Sequence, residues 1–137
     1  MSAPILPDVE NLVLTALRAR LPAVRVVADL PADWDAASAL VAAHRVGGAA
    51  PDARFYDRAL MDVQVFHTDR RTASRLAREV RAILVDACAD GFSDAEGSLS
   101  NFTEVSGPWN PGPGDYPNLS RFIATYQLTA RTARKEL

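Results

Sequence analysis

The stretch ALMDVQVFHTDRRTASRLAREVRAILVDACAD, residues 59–90, decides the fold class, because its hydrophobic period changes partway along. From Ala59 to His67 it alternates, with Met61, Val63 and Val65 on one face and Asp62 and Gln64 on the other. Successive strand side chains point to opposite sides, so this is the pattern of a strand with one buried face. From Asp69 to Asp90 the spacing turns helical. At 100° per residue Ala73, Leu76, Ala77, Val80, Ile83, Leu84 and Ala87 form one stripe. Gly91 ends the helix, since glycine takes the left-handed cap conformation without steric cost.

Outward from this stretch, Val9, Leu12, Val13, Ala16 and Leu17 recur at helical steps, with Asp8 placed to cap a helix that runs to Arg20 before Pro22. Val24 to Asp29 and Ser38 to Val46 read as two short strands. Residues 47–58, with Gly47-Gly48, Pro51 and several charges but no periodicity, read as an exposed loop. Leu99, Phe102 and Val105 mark a fourth strand, and Gly107 to Asn118 reads as a loop with four prolines and three glycines. Arg121 to Arg131 alternates Phe122, Ala124, Tyr126, Leu128 and Ala130 against polar residues, the pattern of a last half-buried strand. The order of helix, three strands, helix and two strands contains no repeated βαβ unit. It predicts an α+β domain over residues 1–137, with a mainly antiparallel sheet of about four to five strands and two principal helices on one face.

The composition narrows the function. A chain of 137 residues with 48% hydrophobic content suits one domain and one core. The formal charge of −2 lacks the positive excess that drives binding to a phosphate backbone. No apolar run is long enough to span a bilayer, and Met1 to Pro7 lacks the basic and apolar regions of a secretion signal, so the expectation is a soluble intracellular protein with no membrane partner.

Catalytic and metal chemistry finds no foothold. His44 and His67 lack the spacing of a helical metal pair, and the single Cys88, on the apolar helix stripe, reads as a small core residue. No nucleophile elbow or phosphate loop occurs: Gly47-Gly48 lacks the Lys-Ser/Thr ending, and Gly91-Phe92-Ser93-Asp94 is a helix exit. The expectation is a non-enzymatic protein with no catalytic residue, no cofactor and no metal.

What remains is surface. Arg71, Arg75 and Arg78 lie opposite the apolar stripe of the long helix. Arg70 and Arg71 sit at its positive end and Asp86 and Asp90 at its negative end, each in the unfavourable direction by about 0.3–1 kcal/mol. This basic face either simply faces water or meets an acidic surface of a neighbouring subunit, for which Asp52, Asp57 and Asp94 are candidates. Trp34, Trp109 and Tyr116, in segments rich in turn residues, either pack over the sheet edge or anchor a partner.

His44-Arg45-Val46-Gly47-Gly48, Met61-Asp62-Val63-Gln64-Val65-Phe66, the alanine-rich helix after Asp69-Arg70, and Gly107-Pro108 followed by Arg121-Phe122-Ile123-Ala124-Thr125-Tyr126 together resemble the siphophage tail terminator and tail completion proteins. The resemblance spans about residues 8–131. It implies a structural virion protein at the tail–neck junction, assembled in the host cytoplasm as a homohexameric ring. Its partners would be copies of itself, the major tail tube protein and a neck or head-completion protein, with genome DNA passing through the lumen without specific binding. Two other readings compete: a different head–tail connection protein such as a neck or stopper subunit, and a small ligand-binding domain or enzyme, since fold alone does not determine function.

Overall fold

The computed structural model describes residues 2–112 and 114–133; Met1, Pro113 in the expected late loop, and residues 134–137 at the end of the expected domain lie outside the described residues. Asp8 caps helix α1 (Val9–Arg20), its carboxylate accepting from the Asn11 amide at 3.1 Å. Strands β1 (Arg25–Val27), β2 (Leu40–Asp52) and β3 (Tyr56–His67) follow, then helix α2 (Arg70–Asp90) and strands β4 (Gly97–Trp109) and β5 (Ser120–Thr132). They form one five-stranded sheet in the order β1-β2-β3-β5-β4. Every pairing is antiparallel except β1 with β2, which is parallel, so the fold is α+β with a mixed sheet.

The alternation read from Ala59 onward places the core. Ala59, Met61, Val63 and Val65 of β3 and Ala124, Tyr126, Leu128 and Ala130 of β5 stand beside one another in register on one face. Against them pack Leu12, Val13 and Leu17 of α1 and Val80, Ile83 and Leu84 of α2. Both helices therefore cover a single face. The opposite face stays polar along most of its length, with Asp62, Gln64, Thr125 and Gln127 only partly covered.

Two expectations need correction. Residues 47–58 are not a loop: β2 continues to Asp52 and β3 begins at Tyr56, making one long hairpin with a short turn at 53–55. Register shifts between Arg45 and Gly47 and between Ala49 and Asp52 absorb the glycines and proline as bulges, so pairing resumes beyond them. Likewise Gly107, Pro108 and Trp109 belong to β4, and the late loop starts only at Asn110. β4 is an edge strand, where a proline is tolerated because no further strand needs its missing amide. Asn101, at φ 52°, sits in a register shift that interrupts this edge.

Arg45 ties the hairpin to the helix layer. Its amide donates to Glu10 Oε1 at 2.9 Å, its Nε to the Gly47 carbonyl at 3.0 Å, and its Nη1 and Nη2 to the two Asp57 oxygens at 2.5 and 3.0 Å. The Asp57 hydrogen bond holds the guanidinium above its ordinary pKa. Arg45→Ala would leave the largely covered Asp57 carboxylate without its fork partner, and is expected to cost about 1.5–3 kcal/mol in urea denaturation. Arg45→Lys should recover only part of this, because one ammonium cannot reproduce the bidentate fork. A loss below the error of the measurement would show that the fork contributes nothing net.

Candidate functional site

Helix α2 presents a charged surface. Asp69 caps it, accepting from the Thr72 amide at 2.9 Å and the Thr72 hydroxyl at 2.6 Å, and these bonds lower the Asp69 pKa. Gly91, at φ 66°, closes the other end. Because Ala73, Ala77, Val80 and Leu84 are drawn into the core, Arg71, Arg75 and Arg78 are turned outward, and all three are exposed. Arg75 pairs with Glu79 at 3.2 Å on its own helix, and Arg78 donates to the Ser74 carbonyl at 3.3 Å. Among the described residues Arg71 makes no ion pair within 4 Å. One turn further on, Arg81 instead bonds Glu104 of β4 at 3.1 Å, clamping the helix to the sheet.

The acids that sequence offered as complements are engaged within the chain. Asp57 holds Arg45, and Asp52 pairs with Arg54 at 3.2 Å, whose hydrogen bond lowers the Asp52 pKa. Asp94 accepts from the amides of Glu96 at 2.8 Å and Gly97 at 3.2 Å, folding the turn that leads into β4. Sequence reasoning missed a different acidic place. Ala16 and Ala19 of α1, Ile83 and Ala87 of α2, and Phe92 line a groove between the helices, with Asp86, Asp90 and a single cation, Arg20, also in its lining. The two aspartates were noticed only as charges at the unfavourable helix end. What groups them with α1 is the packing of the two helices.

The three aromatic candidates separate. Trp34 and Tyr116 come together on the sheet face away from the helices, their ring centroids 5.1 Å apart. Phe66 lies beneath them, 5.2 Å from Trp34 and 5.9 Å from Tyr116, both nearly edge-on. Leu40, Ala42 and Leu119 complete this second cluster, which fastens the segment before β2 and the late loop to the sheet. Trp109 is not with them. It ends β4 with 51% of its surface exposed, beside a small cleft with Asp62, Gln64, Arg121, Ile123 and Thr125.

In that cleft Asp62 accepts from the Thr125 hydroxyl at 2.8 Å. His44 lies mid-strand, across from Asp62, rather than near a strand end. His67 Nδ1 accepts from the Asp69 amide at 3.0 Å, shaping the β3–α2 junction. Burial pushes the Cys88 thiol up to about 11, so it stays protonated at neutral pH. Among the described residues no group of three His, Cys, Asp or Glu side chains is placed to hold a metal ion, and no helix is long and apolar enough to cross a membrane. The features this chain displays outwardly are thus charged and apolar surface patches.

A search of curated protein sequences gives no match. A family model described as phage tail termination protein matches residues 5–136, from the segment before α1 to beyond β5. The chain therefore belongs to the phage tail termination protein family, structural proteins of the virion tail.

Proposed function

We propose that this protein is one subunit of a closed ring, a hexamer, that caps the tail tube, ends its polymerisation and offers its other side to the neck of the filled head. The family match carries the reading, because it takes in both helices and the five strands of the described structure. Copies of the chain, the tail tube protein and a neck protein are its partners, and the genome passes through the lumen without specific contacts. The surface agrees with an assembly role. A ring needs two different complementary patches on each subunit, and α2 displays an arginine face while a separate groove displays acids. Arg71, Arg75, Arg78 and Trp109 are the residues proposed to meet partners. Trp34 and Tyr116 would act through the late loop they fasten.

The test is to remove the protein from an infection and measure tails by electron microscopy. Termination predicts tubes that run past the normal length and fail to join heads, restored by supplying the chain. Tails of normal length that merely fail to join would overturn termination in favour of a neck role. Purified protein is expected to show rings by negative stain and a matching mass by light scattering.

A further inference from the structure

In the groove between α1 and α2 an apolar floor and incompletely compensated acids coincide. Asp86 is only loosely held by Arg20, at 3.3 Å with both side chains more than half exposed, and Asp90 has no cationic partner among the described residues. The floor is made by Ala16, Ala19 and Ala87, short enough to admit long side chains, and by Ile83 and Phe92.

We infer that the arginine face of α2 seats in this groove on the next copy of the chain, forming the repeating contact of the ring. The inference rests on the ring proposed above and supplies its two halves. Three observations carry it. The other acids considered as complements, Asp52, Asp57 and Asp94, are each held inside their own subunit, whereas Asp90 has no ion pair within 4 Å among the described residues and Asp86 shares only the exposed pair with Arg20. The two patches also point in different directions: at 100° per residue, Asp86, Asp90, Ile83 and Ala87 centre roughly 100° around α2 from Arg71, Arg75 and Arg78, and lie towards its other end. A subunit that inserts its arginines into one neighbour therefore keeps its own groove open for another, which is a head-to-tail contact. Finally, arginines at the positive helix end and aspartates at the negative end disfavour the isolated helix. Between two copies the same charges attract. The aliphatic stems of the arginines would lie on the alanines of the floor while their guanidinium groups reach the carboxylates on the rim.

Charge swapping tests the pairing on the full chain. The face variant carries Arg71→Glu and Arg75→Glu, and the groove variant carries Asp86→Arg and Asp90→Arg. Each alone is expected to keep a wild-type circular dichroism spectrum and to stay below ring size in light scattering. Mixed in equal amounts they should close rings again, because in a six-membered ring that alternates the two the altered face meets the altered groove with the charges exchanged, and the unaltered face meets the unaltered groove. A folded single variant that still closes rings, or a mixture that fails while wild type closes, overturns the pairing and leaves the ring reading standing. Wild type that forms no ring in solution or in the virion overturns both. Should a reversal unfold the chain, the neutral pair Arg71→Gln and Arg75→Gln serves instead. It is expected to raise the protein concentration needed for closure about tenfold, in the range of interfacial charge pairs, and an unchanged concentration would overturn the pairing.

Discussion

Phe66→Ala is expected to lower the folding stability by about 3–5 kcal/mol, the loss typical of truncating a buried phenylalanine. Phe66 is 1% exposed and supports Trp34 and Tyr116 from below, so its removal leaves a cavity under two loops rather than one inside the helix-covered core. The backbone around it is held in the β2–β3 and β3–β5 ladders, where Phe66 faces Leu40 and Arg121, and cannot collapse to fill the space. Besides the shift in urea midpoint, the emission of Trp34 should move to longer wavelength as the ring gains water. That readout is clean in a Trp109→Phe background, since the chain has two tryptophans. Trp109→Ala itself should change stability little, because that ring is half exposed. A Phe66→Ala protein with unchanged emission and a loss under about 1 kcal/mol would show that the aromatic cluster does not fasten the loops.

Gly48→Ala is expected to cost about 2–6 kcal/mol, combining the strain of a disfavoured backbone conformation with overpacking. Gly48 has φ 103°, and a β-carbon there would meet the Arg58 carbonyl and lie 2.9 Å from the Ala59 α-carbon of the facing strand. These are backbone atoms of the pairing ladder, so relief requires opening the hairpin. The neighbouring Gly47 is the control. Its added β-carbon would meet only the flexible end of Leu60 at 3.6 Å, so Gly47→Ala should be far milder. Hydrogen exchange would localise the damage. Amides of β2 beyond Arg45 and of β3 before Leu60 should lose protection while those of α2 keep it. Equal tolerance of the two alanines would mean that the bulge does not depend on Gly48.

Much of the fold was legible because one period dominated each decisive segment. The alternation of Met61, Val63 and Val65, and of Ala124, Tyr126 and Leu128, marks two neighbouring strands that share a buried face. The stripe from Ala73 to Ala87 marks the helix that covers them. The outer half of the β2–β3 hairpin was not legible. Its glycines, proline and charges look like loop chemistry locally, and only the ladder formed with the partner strand holds Val46 to Asp52 extended. The same reason hid the end of β4: Trp109 is held by its register with Ile123, not by its own neighbours, Pro108 and Asn110.

The candidate surface divides along the same line. By itself the sequence determined the arginine face, because Arg71, Arg75 and Arg78 belong to one helix whose apolar stripe must turn inward, and helical periodicity is a local property. It also pointed to a tail termination family, which the family model over residues 5–136 shows. Only the tertiary structure decided which charges are already satisfied. Arg45 lies twelve residues from Asp57, Arg20 sixty-six from Asp86, and Arg81 twenty-three from Glu104, and each pair meets only because the sheet or helix packing brings distant segments together. Tertiary packing alone likewise set Trp34 and Tyr116 over Phe66 and left Trp109 outside, because burial of an aromatic ring depends on contacts between segments that no single stretch of sequence contains.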